Sequence, residues 1–253
     1  MPSTQQSRTA LSYLAVVALS VLALQTVVVI AHEFTHSTVA WLLGQMDSPG
    51  DIIWGNPFTL SGWDEGVEYH RLFAAGQLTE AAIIGVSPLL LHAGIVSCGL
   101  ALLVRGRPRN RWAFHALYWF VVTNLMELIA YLLMRAFASG GDTGIFNRGM
   151  QLNPWFLFCL GNLALAAWLG VLFGKVLPRM NARFAAENPL GQWLILGLTA
   201  FVLFLWGSGL RIVLYVYPDP QWLFGLLGFA AFGAALALCQ PSRPWMARRT
   251  QAR

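Results

Sequence analysis

The chain has 253 residues, of which 57% are hydrophobic and only 11% charged. Soluble domains carry about 25% charged residues, so this deficit, with several apolar runs of roughly 20 residues, excludes an ordinary soluble domain and predicts an all-α, polytopic integral membrane helix bundle. The net charge of +5 comes with no basic stripe interleaved with aromatics and no nucleic-acid motif, which excludes nucleic acid as a partner and assigns the charge to basic loops beside membrane lipid. Cys98, Cys159 and Cys239 lie in apolar runs without a CxxC partner and read as small buried hydrophobes.

About six transmembrane helices follow in chain order. The first runs from about Leu11 to Leu43 and stops at Gly44 and Asp47-Ser48-Pro49-Gly50. Its apolar stretch from Leu11 to Ala31 exceeds the ~7–15 residues of a signal-peptide core, and no small-residue cleavage site closes it, so it reads as a retained span. Residues 45–70 form the longest polar loop, with Ile52 to Trp54 and Phe58 to Leu60 as the arms of a short hairpin around Gly55-Asn56-Pro57, or else an irregular interfacial loop. The second span covers about Leu72 to Val104 and ends in Arg105, Arg107, Arg109 and Arg111. The third runs from about Trp112 to Phe137, the fourth from Trp155 to Leu177, the fifth from Leu190 to Tyr217 and the sixth from Trp222 to Cys239. No repeat and no soluble domain is visible. Residues 1–253 form a single membrane domain, with a candidate catalytic core in 1–150 and three further helices in 151–253.

With six spans, Arg8, the 105–111 cluster, the Lys175–Arg183 group and the arginine-rich tail all fall on one side. Lys and Arg mark the cytoplasmic side. The expectation is a multi-pass protein, in a bacterial cytoplasmic membrane by default, with both termini inside and the loops at 45–70 and 138–153 outside.

The chemistry centres on His32-Glu33-Phe34-Thr35-His36, at the far end of the first span. Residues four apart share a helix face, so the two imidazoles can meet one ion. That pattern suits Zn²⁺, which then needs a third protein ligand, and places Glu33 as the general base for an attacking water. Depth ranks the remaining acids. Arg8 to His32 and Arg111 to Arg135 are each 24 residues, or about 36 Å of helix, so the end of the third span is level with the histidines. Asp142, in the glycine-flanked turn that follows, is the first choice of third ligand and Glu127 the second. Glu80 and Glu127 otherwise pair with Arg135, Arg211 or an asparagine in a wet cavity. His70 reads as solvated; His92 and His115 lie toward the inner end as hydrogen-bonded core residues. Arg211 either snorkels or takes a substrate carboxylate.

These residues resemble the site-2 protease (M50-type) group of membrane zinc metallopeptidases. HEFTH matches the family's HExxH at a membrane-helix end. Ala75-Gly76-Gln77-Leu78-Thr79-Glu80 looks like its A-G-P-x-x-N segment, with Gln77 and Glu80 in place of the proline and asparagine. Asn124, with Gly140-Gly141-Asp142 after it, looks like the later asparagine and Asp-Gly region, although here the glycines precede the aspartate. The resemblance implies a three-helix metalloprotease-like core in spans one to three. It also implies zinc on His32, His36 and Asp142, Glu33 as catalytic base, and hydrolysis of transmembrane or membrane-anchored polypeptide. The alternative is a non-proteolytic metal-binding membrane protein: a transporter or sensor passing metal along His32, His36, Glu80, Glu127 and Asp142, or an inactive scaffold.

Overall fold

The computed structural model describes residues 4–56, 58–59, 61–210 and 222–251. These residues form an all-α bundle, and six of its helices are long and apolar enough to cross a membrane. Helix α1 spans Thr4–Leu42, α2 Tyr69–Ala74, α3 Leu78–Val104 and α4 Arg111–Ile129, which a π turn extends over Ala130–Met134. Then come α5, Gly141–Gly149; α6, Pro154–Val171; and α7, Leu177–Phe184, continuous with α6 through a second π turn. Helix α8, Pro189–Phe201, runs on as a π segment to Gly209, followed by α9, Trp222–Cys239, and α10, Pro244–Gln251.

Asparagine side chains set several starts. Asn110 accepts from the backbone N–H of Trp112 and Ala113 at the head of α4, and Asn153 from that of Trp155 at the head of α6. Pro154 and Pro189 follow their capping asparagines at the first helical position, where a missing N–H costs nothing.

Helix α4 is the axis of the bundle. Of its most apolar stretch 78% is buried, against 28% for α1 and 22% for α9. Phe114, Tyr118, Trp119, Leu125, Met126 and Ile129 fill the surrounding core. In the π segment that continues α8, a methyl group at Gly207 would overlap the Met126 side chain, so a larger residue there requires Met126 to move. Helix α3 packs against α1, α4 and α5 around the candidate site, and α1 packs against α4.

Two basic groups and the tail share one end of the bundle. Arg183 donates to the carbonyls of Gly106 and Pro108 and lies 4.0 Å over the Phe114 ring; Arg179 donates to Leu103, and Arg249 to Gly174. Tyr13, near the start of α1, packs on Phe184 at the same end.

Several boundaries differ from the sequence expectation. The second span does not start at Leu72. Gly76, at φ +75°, breaks it into α2 and a separate α3. The third ends at Met134 rather than Phe137, and the fourth continues past Leu177 to Phe184. The turn carrying Asp142 is a helix, launched by Gly141 at φ +67°. The 45–70 loop makes two isolated antiparallel bridges, Ile53 to Asp64 and Asn56 to Ser61, so the returning arm is 61–64 rather than Phe58 to Leu60. The end of the fifth span, with Arg211, lies outside the described residues.

Candidate metal centre

Helix α1 brings His32 and His36 to one face by their four-residue spacing, with ring centroids 4.9 Å apart. Helix α5 folds back from the end of α4 and delivers Asp142 between them. Its Oδ2 lies 3.0 Å from His32 Nε2 and 3.4 Å from His36 Nε2. All three residues are buried, and their ligand atoms lie within 4.8 Å of one another. This is the grouping that depth along the helices ranked first. Glu127 is buried but stands outside the cluster, and so does the half-buried Glu80. Among the described residues neither forms an ion pair, so the expected pairing with Arg135 is not found.

The return of α5 rests on small residues and hydrogen bonds. Thr143 Oγ1 donates to the Arg135 carbonyl at 2.8 Å and Asn147 Nδ2 to that of Ala136 at 3.2 Å. Gly85 of α3 faces Ile145 and the Asp142 carbonyl, and Gly149 of α5 faces the Leu78 carbonyl and Ala82. A Cβ at either would lie 2.9 Å or less from its nearest neighbour. Arg148 stacks 3.9 Å over the Phe73 ring and ties α5 to α2.

The outer nitrogens of both histidines face α3. His36 Nδ1 lies 2.8 Å from the Ile84 carbonyl oxygen, and His32 Nδ1 lies 3.1 Å from His92 Nε2. His92 Nδ1 in turn sits 2.8 Å from Asn124 Oδ1, and Asn124 Nδ2 donates to the Phe120 carbonyl at 2.7 Å. His32 is sandwiched between the His92 ring, at 5.3 Å, and the Tyr131 ring, at 5.4 Å. Tyr131 stands on the π turn that ends α4, and its hydroxyl lies 3.5 Å from His32 Nε2, on the Asp142 side.

Glu33 is only 8% exposed and interacts electrostatically with His32, His36 and Asp142. Glu65 of the loop acts on Glu33, His36 and Tyr69. The Tyr69 hydroxyl lies 3.4 Å from His36 Nδ1. Burial first, and then the Glu65 carboxylate, push its phenol far up, so it remains a hydroxyl. Burial alone would raise the Asp142 carboxyl, but the two imidazoles outweigh it and hold it well below the usual carboxylate range.

No family model, curated protein or solved structure matches this chain. The functional reading therefore rests on the chemistry of the cluster itself. Asp142 Oδ2 is a buried carboxylate oxygen with no hydrogen bond of normal geometry, although two imidazole nitrogens face it. Two neutral nitrogens and one carboxylate oxygen, closely gathered and shielded from water, fit a divalent ion with an affinity for N and O donors.

Sequence reasoning placed His92 toward the inner end of its span. The structure instead sets it against His32, because α3 starts at Leu78 and crosses α1 at the histidines. His115 lies at the basic end of the bundle among Tyr13, Trp112 and Phe184, but among the described residues its buried Nε2 lacks the expected hydrogen bond. His70 is exposed. Tyr131, Tyr69 and Glu65 were not singled out. Each lies at its own distance along the chain from the motif, and only the packing of α2, α4 and the loop brings them together.

Proposed function

We propose that the protein is a zinc-dependent endopeptidase that cleaves membrane-anchored or juxtamembrane polypeptide. One observation carries the reading: an aspartate from a separate helix completes a buried His–His–carboxylate triangle, with a glutamate directly beside the first histidine. His32, His36 and Asp142 would hold the ion. A zinc ion there supplies Lewis acidity, polarising a carbonyl and bringing the pKa of water toward about 7. Glu33 takes the proton of the attacking water and returns it to the departing amine. The Tyr131 hydroxyl, beside His32 Nε2, donates a hydrogen bond to the scissile carbonyl oxygen as negative charge grows on it. Burial of the three metal-binding residues keeps bulk water away from that charge.

The substrate arrives unwound. A transmembrane helix hides its carbonyls in its own hydrogen bonds, so the cleaved segment must be extended at this site. By the distribution of Lys and Arg the site faces the outer side of the membrane, opposite the basic end of the bundle. The resemblance of HEFTH and of the Asn124 and Asp142 region to the site-2 protease group supports the same chemistry. Glu80 and Glu127 stand apart from the cluster, so a metal path along them would run through single carboxylates and not through a second three-residue group among the described residues.

The test is direct. Purified protein is assayed for bound metal and for cleavage of a membrane-anchored peptide. Chelation should abolish cleavage, and added Zn²⁺ should restore it. Stoichiometric metal with no cleavage of any anchored peptide would favour the non-proteolytic alternative.

A further inference from the structure

We propose that His92 is a positioning residue for the metal centre: backed by Asn124, it fixes the His32 proton on Nδ1 and keeps the Nε2 lone pair on the Asp142 side. The proposal rests on the metal-binding part of the reading above.

The direction of the chain follows from its far end. A carbonyl oxygen only accepts, so the Asn124 atom 2.7 Å from the Phe120 carbonyl is the amide nitrogen. Asn124 Oδ1 is thereby turned to His92. It too only accepts, so His92 Nδ1, at 2.8 Å, carries a hydrogen. A second proton, on Nε2, would make His92 a cation at a fully buried position inside a membrane span, which is costly. His92 Nε2 therefore accepts and His32 Nδ1 donates, so Nε2, on the Asp142 side, is the nitrogen that would give its lone pair to an ion. The ring plane is held as well, since His32 lies between His92 and Tyr131 with interplanar angles of 24° and 16°.

A carboxylate more often stands behind a metal-bound histidine. Here a neutral imidazole does the same work inside a membrane span, where an added charge is costly. Asn124 makes the imidazole one-directional. Without it, His92 could present N–H to His32 and force the proton onto the wrong nitrogen.

Two isosteric changes separate positioning from packing. His92→Gln carries an amide to where Nε2 stands; it gives up Asn124, but the freed amide can turn its oxygen to accept from His32 Nδ1. His92→Asn carries the amide to where Nδ1 stands, so it keeps Asn124 and does not reach His32. Zinc affinity of the purified proteins, measured by competition with a chromophoric chelator, should fall about 10–100-fold in His92→Asn and stay near the original in His92→Gln. The visible absorption of the Co²⁺-loaded proteins should change in the asparagine variant alone. Equal affinity in all three proteins overturns the proposal, and so does an equal loss in both variants, which would assign His92 to packing. An unsubstituted protein that takes up no metal overturns this inference and the metal-site reading together. One that binds zinc but cleaves nothing sinks only the peptidase reading, because affinity is read without turnover.

Discussion

His36 Nδ1 lies 2.8 Å from the carbonyl oxygen of Ile84, and Pro88, one helical turn further along α3, is the reason that oxygen is available. Proline has no N–H, so the carbonyl four residues before it loses its helical partner. The Ser87 hydroxyl at 2.8 Å and the His36 imidazole take that place. A helix defect thus becomes an acceptor for a histidine of the candidate metal centre, and it fixes His36 with Nε2 toward Asp142.

Replacing Pro88 with alanine should separate stability from metal binding. Alanine is about 3 kcal/mol better than proline in a helix interior, and its N–H would compete for the Ile84 carbonyl. The expected outcome is an equal or higher Tm with weaker zinc binding. Unchanged affinity, by chelator competition, would show that His36 does not depend on this oxygen.

Glu33→Gln should keep the metal and lose the chemistry. Glutamine has nearly the same shape and cannot take a proton, so cleavage should fall by about 10²–10⁴-fold, with bound zinc unchanged. Cleavage at the original rate would remove Glu33 from the mechanism.

Asp142→Asn and Glu127→Gln form a paired test of the third ligand. The first removes the charge from an oxygen that lies 3.0 Å and 3.4 Å from the two histidines, and metal affinity should drop sharply. The second alters a residue outside the cluster and should leave metal content intact. The reverse pattern would reassign the ligand.

Tyr131→Phe keeps the ring stacked on His32 and deletes only the hydroxyl. Zinc binding should persist while kcat falls by about 10²-fold or more, in line with the loss of one donor to a developing oxyanion. A fall in affinity at constant kcat would make the hydroxyl part of metal retention instead.

Gly149→Val tests whether the third ligand depends on close packing. A Cβ there would meet the Leu78 carbonyl at 2.4 Å and Ala82 at 2.8 Å, so α5 must lift from α3. Overpacking of this kind costs about 1–3 kcal/mol. Both Tm and zinc affinity should fall, although residue 149 touches no ligand. Retained affinity would show that Asp142 is held by its own turn alone.

Much of this was legible in the sequence, for definite reasons. The bundle follows from apolar run length; the asparagine caps at the starts of α4, α6 and α8 were there to be read but were not used. The pairing of His32 with His36 is a matter of helical period. Asp142 was reachable because the rise per residue compares depths on different helices. Other features depend on how helices cross, which no local pattern records. His92 was assigned by depth along a span taken to begin at Leu72. Gly76 moves that start, and the crossing of α1 and α3 sets the residue against His32. Tyr131 owes its place to a π turn whose residues, Ala130–Met134, read as ordinary helix. Helix α5 was hidden by its glycines, which look like a loop until Gly141 is seen to start a helix with a left-handed residue.

That α5 carries the third ligand also bears on how the site is born. His32 and His36 lie on α1, which a ribosome delivers well before α5, and Asp142 lies on a segment made only after α3 and α4 are complete. Chains emerge from the N-terminus at about 5–20 residues per second, so for several seconds the nascent protein holds two histidines and no carboxylate beside them. On the proposed reading, the three-residue metal site would be complete only once the first three spans and α5 have assembled, so its chemistry would begin after insertion rather than during it.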